Sequence, residues 1–126
     1  MDIRIQSLVV DAHDNERLAR FWSAALGWPI THQSDEEWVL QPTKDSDGTD
    51  VLPEILFVKT PDQKVAKNRL HLDLTPKDQD AEVERILGLG ATRADIGQGD
   101  VKWVVLADPE GNEFCVLGPK PSDNNF

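Results

Sequence analysis

Leu8-Val9-Val10-Asp11-Ala12-His13-Asp14-Asn15-Glu16-Arg17-Leu18-Ala19-Arg20-Phe21-Trp22 is the stretch that decides the architecture. It passes from a β-branched run over residues 3–10 into a helical pattern. Asp14 has a side chain suited to capping a helix start. Leu18, Phe21, Trp22, Ala25 and Leu26 then recur at helical spacing, which predicts a helix over residues 15–26 with one apolar stripe. Gly27 follows where a left-handed residue ends a helix. The same order returns about 64 residues on. Residues 69–74 alternate Arg, Leu, His, Leu, Asp, Leu, so Leu72 and Leu74 match Leu8 and Val10. Asp78 matches Asp14, the stripe Val83, Ile86, Leu87 follows, and Leu89-Gly90 matches Leu26-Gly27. Within this copy, Thr75-Pro76-Lys77-Asp78 reads as a helix start with Thr75 as the cap and Pro76 as the first helical residue.

The remaining segments are short and apolar between turn residues. They predict strands at 28–33, 37–41 and 54–59 in the first half, and at 91–96, 101–107 and 112–117 in the second. Asp108-Pro109-Glu110-Gly111 is a turn by composition. The unit strand, helix, strand, strand, strand therefore occurs twice, which makes the fold class α+β. The expected organisation is one domain over residues 1–118. Module one covers 1–62, a connector 63–67 and module two 68–118, with a loose tail over 119–126. Residues 42–53, with Asp45, Asp47, Gly48 and Asp50, read as a solvated loop. They lack the twelfth-position glutamate of a calcium loop.

The chain of 126 residues resembles the vicinal oxygen chelate superfamily, the glyoxalase/bleomycin resistance/dioxygenase proteins, and within it the glyoxalase-like domains. Three stretches carry the resemblance: Asp14 to Trp22 leading to Leu26-Gly27; Asn68-Arg69-Leu70-His71-Leu72-Asp73-Leu74; and Asp108-Pro109-Glu110-Gly111-Asn112-Glu113-Phe114. The resemblance implies two βαβββ modules whose curved mixed sheets enclose a cleft, with helices outside. It also implies a homodimer, because members pair modules between chains or dock two complete sheets. Metal-dependent members hold one divalent ion through the first and last strand of each module. Carried over singly, those positions fall at Ile5, Gln6 or Ser7; near Phe57, among Leu56, Phe57 and Val58; at His71; and at Cys115, seven residues after Asp108. His71 alone matches in type. The resemblance thus favours no cofactor; a divalent ion, if bound, would use His71 and Cys115 with Glu54, three residues before Phe57.

Strand alternation puts His71 and Asp73 on one face, with Arg69 beside them, opposite Leu72 and Leu74. His71 and Asp73 are the candidate catalytic pair, an imidazole tuned by a carboxylate for acid–base work; the alternative is a hydrogen-bonded pair that fixes the strand. Cys115 and Glu113 share a face on the last strand. Cys115 reads either as a thiol beside an imidazole or as a small core residue. Trp38 and Trp103 are the candidate aromatic walls, with core packing as the alternative, while Trp22 and Trp28 read as structural. The candidate ligand-binding residues are Trp38, Trp103, Arg69, Cys115, Glu113 and Ser7.

Composition narrows the partners. With 13 basic and 23 acidic residues the chain carries −10, the wrong sign for a phosphate footprint, so nucleic acid is not expected. No apolar run approaches a membrane span, and the start has no secretory pattern. One cysteine fits a reducing cytoplasm. Gly97-Gln98-Gly99 lacks the lysine and helix of a phosphate loop. The expected function is binding of a small organic molecule in the cleft without the full metal site, through His71 and Asp73 chemistry or simple sequestration. The alternatives are a metal-dependent lyase, isomerase or dioxygenase, and a non-catalytic accessory domain.

Overall fold

The computed structural model describes residues 2–3, 5–42 and 52–118. The expected acidic loop around Asp45, Asp47 and Asp50 and the expected tail from Pro119 lie outside the described residues. The chain divides into two compact units, Met1–Gln63 and Lys64–Phe126. The first contains β1 (Ser7–Ala12), α1 (Asn15–Leu26), β2 (Ile30–Gln33), β3 (Glu37–Leu40) and β4 (Glu54–Lys59). The second contains β5 (Asp73–Leu74), α2 (Gln79–Gly88), β6 (Thr92–Arg93), β7 (Val104–Ala107) and β8 (Glu113–Val116). Each unit builds one four-stranded sheet, in the order β1-β4-β3-β2 and β5-β8-β7-β6. In both, the first strand runs parallel to the last and all other pairs are antiparallel. These are two βαβββ modules in an α+β fold.

α1 forms where the stripe predicts it. Asp14 accepts a hydrogen bond from the Arg17 N–H at 3.1 Å, and Gly27 closes the helix at φ 73° with its N–H on the Ser23 carbonyl. Leu18, Phe21 and Trp22 are buried beneath it, each side chain contributing roughly 1.5–3 kcal/mol of hydrophobic free energy. Asn15 is buried as well. Its amide donates to the carbonyls of Glu36 and Phe57, so the first helical residue ties the helix to β3 and β4.

α2 starts later than its local motif predicts. Asp78, not Thr75, is the cap, accepting from the Ala81 N–H at 3.1 Å, and Gln79 is the first helical residue. The position that matches Asp14 prevails over the Thr-Pro dipeptide, because a charged acceptor satisfies the helix N-terminus better than a hydroxyl does. Val83 and Ile86 are its buried residues.

Several strands are shorter than expected. β1 begins at Ser7, and Ile3 and Ile5 before it are exposed. β5 keeps only two of the six expected residues. The backbone before it is held elsewhere, as Asn68 donates from its N–H and its amide to Glu113. β6 ends at Arg93 because the Asp95 and Gln98 side chains capture the N–H groups of Gly97 and Ile96 in a local turn. The β7–β8 connection closes on buried Asp108, whose carboxylate accepts from the N–H groups of Glu110 and Asn112. Gly111 sits there at φ 85°, a conformation that favours glycine.

Candidate functional site

β5 is brief, yet its edge is where chemistry gathers. Leu72 and Leu74 are half-buried while His71 and Asp73 are exposed, the alternation expected of a strand with one covered face. Parallel pairing sets Asp73 directly beside Cys115 of β8, and the Cys115 N–H donates to the Leu72 carbonyl. His71 Nε2 lies 3.2 Å from Asp73 Oδ1, with side-chain exposures of 45% and 52%. The Cys115 sulfur lies within 4.8 Å of an Asp73 carboxylate oxygen. One donor atom from each of His71, Asp73 and Cys115 lies within 4.8 Å of the others.

Electrostatics distinguish these groups. Burial pushes the Cys115 thiol up, and the Asp73 charge and hydrogen bond push it further, against a weaker pull from Lys67. A protonated, buried thiol is a poor nucleophile, which turns the reading of Cys115 away from nucleophilic catalysis. His71 and Asp73 form an accessible imidazole–carboxylate pair, the arrangement that orients a ring for proton transfer.

Glu113, expected in the same set, is engaged. Lys64 Nζ lies 3.0 Å from its Oε1, and the Asn68 N–H donates to the same oxygen at 3.2 Å. Burial works against its charge, but the hydrogen bonds from Lys64, its own N–H and Asn68, with the Lys64 charge, prevail and hold the carboxyl below the usual range. Lys64 and Asn68, read from sequence as connector and flank, are thus a latch on the start of β8. A lysine and an asparagine in a polar connector carry no signal that would have revealed it.

The candidates in the first unit are arranged differently. The Ser7 hydroxyl donates to Glu54 Oε1 at 2.8 Å, and the Gln41 amide reaches Oε2 at 3.3 Å. Ser7 and Glu54 are register partners across β1 and β4, so two separately chosen residues hold each other. Trp38 lies on β3. It pairs with Phe57, is 7% exposed, and lies under the Arg20 guanidinium of α1 at 5.0 Å from the ring centroid. It therefore belongs to the helix-covered face, where it lines a polar hollow of about 410 Å³ with Asp14, Asp35 and Lys59. Glu37-Trp38-Val39-Leu40 has no alternation to fix its phase, which is why the sequence leaves wall and core both open for Trp38. Trp103 precedes β7 rather than lying on it, and is 42% exposed. Arg69 is exposed and precedes β5.

The four metal positions implied by the resemblance can be tested against these donors. Repeat register makes Ser7 the counterpart of His71, Val9 that of Asp73, and Leu56 that of Cys115. Leu56 offers no donor atom, and the Ser7 hydroxyl is bound to Glu54. The four-position set for a hard ion is not met. Glu54, named with His71 and Cys115 as a ligand, sits in the first unit on Ser7 and Gln41, and the third donor beside His71 and Cys115 is Asp73.

Comparison with known proteins supplies the context. The model of the glyoxalase-like domain matches residues 7–117. Among solved structures, the chain is similar to a glyoxalase/bleomycin resistance protein/dioxygenase family enzyme from Burkholderia phytofirmans PsJN. That likeness has 17% identity and a TM-score of 0.71 over 94% of this chain and 100% of the other. It is similar to the fosfomycin resistance protein FosX from Listeria monocytogenes, at 13% identity and TM-score 0.68, over 95% and 94% of the two chains. It is also similar to the bleomycin-binding protein of Streptomyces verticillus, complexed with copper(II)-bleomycin, at 17% identity and TM-score 0.60, over 95% and 99%. No curated protein matches it in sequence. No helix among the described residues is long and apolar enough to cross a membrane.

Proposed function

The chain belongs to the glyoxalase-like domain family of the vicinal oxygen chelate superfamily, and from that premise we propose that it binds a small organic molecule and moves a proton on it. The observation that supports this reading is the His71–Asp73 pair, 3.2 Å apart and open to solvent on one sheet face. Asp73 orients the imidazole, so His71 accepts a proton from a bound ligand and returns it. Asp73 is a positioning residue in this scheme. Arg69 and Trp103, both exposed in the same unit, are the side chains available to hold the ligand. No step runs through a metal ion, because the four-position donor set is incomplete. A cytoplasmic homodimer belongs to the same reading, supported by the single cysteine and by the pairing habits of the proteins it resembles.

A thermal-shift screen of small organic molecules, fosfomycin and bleomycin among them, tests the proposal. A true ligand at a hundredfold excess over its Kd stabilises the fold by about 2.7 kcal/mol. Deuterium uptake from solvent into the bound molecule, followed by NMR, reads the proton transfer. His71→Gln abolishes the uptake while retaining most of the binding, and Asp73→Asn slows the uptake with the binding unchanged. Ligand stabilisation that survives without any His71-dependent exchange reduces the protein to sequestration. The absence of any ligand leaves a non-catalytic accessory domain.

A further inference from the structure

A proton taken from carbon leaves negative charge on the ligand, and Asp73 beside the base repels it. We infer that the ligand is a small anion of the oxo-carboxylate class, gripped by Arg69 and Lys67 next to the His71–Asp73 pair. This rests on the acid–base reading and names the substrate class for it.

Charge points the same way. The chain carries −10, yet Lys64-Val65-Ala66-Lys67-Asn68-Arg69-Leu70-His71 holds three of its 13 basic residues and none of its 23 acidic ones. Lys64 is taken by Glu113. Lys67 and Arg69 are exposed, and among the described residues no carboxylate pairs with either. Position agrees. The Asn68 N–H and amide donate to Glu113, and the Cys115 N–H donates to the Leu72 carbonyl. Arg69 and His71 lie between these two anchors, so both are held along the same stretch of β8. The pull of Lys67 on the Cys115 thiol brings its charge to that stretch as well.

The repeat supplies an independent argument. At the offset that matches Ser7 with His71 and Val9 with Asp73, Ile3 and Ile5 stand where Lys67 and Arg69 stand. Module one forms its sheet with those isoleucines exposed. The architecture therefore does not demand cations there, and they accompany the module that carries the imidazole and the carboxylate.

The chemistry sets the class. A guanidinium takes a carboxylate through two parallel N–H···O bonds, and an ammonium adds a point charge. A carbonyl beside the C–H makes that bond acidic. His71 Nε2 lies 3.2 Å from Asp73 Oδ1, which leaves Nδ1 as the base. The C–H bond breaks, its proton goes to Nδ1, and its electron pair moves to the carbonyl oxygen as an enolate. Return of the proton restores the carbonyl. Cations at 67 and 69 stabilise the carboxylate and the enolate together.

Pyruvate, 2-oxobutanoate and 2-oxopentanoate, each paired with its neutral amide, test the class on the full chain. Binding is read from the His71 ring signals by NMR, assigned through their loss in His71→Gln. At least one acid should bind about tenfold or more tighter than its amide, the scale of one charge-assisted hydrogen bond. Added salt should weaken the acid and spare the amide. Arg69→Gln and Lys67→Gln should each shrink that preference, and Arg69→Lys should recover part of it. Near-ultraviolet circular dichroism of the tryptophans verifies that each variant is folded. Amides that bind as well as the acids, a preference unchanged in both glutamine variants, or no binding by any acid overturns the proposal. The two readings fail separately. An acid held through Arg69 without deuterium exchange removes the proton transfer and keeps the anion site. Exchange that is equal in acids and amides removes the anion site and keeps the proton transfer.

Discussion

The two modules share one plan and diverge in what they mount on it. Each has a cap aspartate, Asp14 or Asp78, and a last strand that opens on a glutamate, Glu54 or Glu113. Each pairs its first and last strands in parallel. Module one spends its sequence on packing. α1 buries five residues, and the positions equivalent to His71, Asp73 and Cys115 are Ser7, Val9 and Leu56. Module two has the thinner structure, with a two-residue first strand and a helix burying two residues, and it brings His71, Asp73 and Cys115 together. A duplicated fold allows this division, because the elements that secure one copy need not be the ones that carry chemistry in the other.

That contrast can be broken most severely in the cores. Leu18→Ala should cost about 2–5 kcal/mol, and Val83→Ala, which removes a smaller group beneath α2, on the order of 2 kcal/mol. Urea unfolding followed by tryptophan fluorescence measures both. Equal losses would mean that the second module depends on its helix as heavily as the first.

The paired glutamates come next. Glu113→Gln loses the Lys64 ion pair and weakens the Asn68 contact, at about 1–3 kcal/mol. Glu54→Gln, at a carboxylate held by a hydroxyl and an amide, should cost about 1 kcal/mol or less. The sign with pH follows from the carboxyl of Glu113 lying below its ordinary range. Its contribution is complete above the ordinary carboxylate pKa and is lost as pH falls through the lowered value. Acid titration of stability should therefore separate wild type from Glu113→Gln at neutral pH and bring them together in acid. Parallel curves would remove Glu113 from the account.

The smallest effects lie at the helix starts. Asp14→Ala and Asp78→Ala should each cost about 1 kcal/mol, while Thr75→Ala should sit near zero. A loss at Thr75 matching that at Asp78 would restore the earlier helix start.

How legible this was depended on distance along the chain. α1, its cap and its terminating glycine all follow from residues within a few positions of each other, and the sequence describes them to the residue. The repeat extended that reading, since Asp78 is the cap that Asp14 implies, against the nearer Thr75-Pro76. Partnerships across strands were harder. Asp73 was chosen to tune His71, but its register with Cys115 is a nonlocal pairing that no local pattern encodes. The Ser7–Glu54 pairing is nonlocal in the same way, and nothing near either residue in sequence announces it. Lys64 and Asn68 carry no such signal, because a polar connector looks alike whether or not it is latched. The face of Trp38 depends on strand phase, which four residues without alternation leave undetermined.

The chain has one cysteine, and it lies almost wholly buried in the middle of β8. An alkylating reagent can reach that sulfur only when the second sheet opens, so the rate of its labelling is a clock for local unfolding. The first module has no thiol to contribute. A single mass-resolved reaction therefore reports the opening of one half of a duplicated protein with no engineered site, and any molecule that holds β5 against β8 should slow the clock.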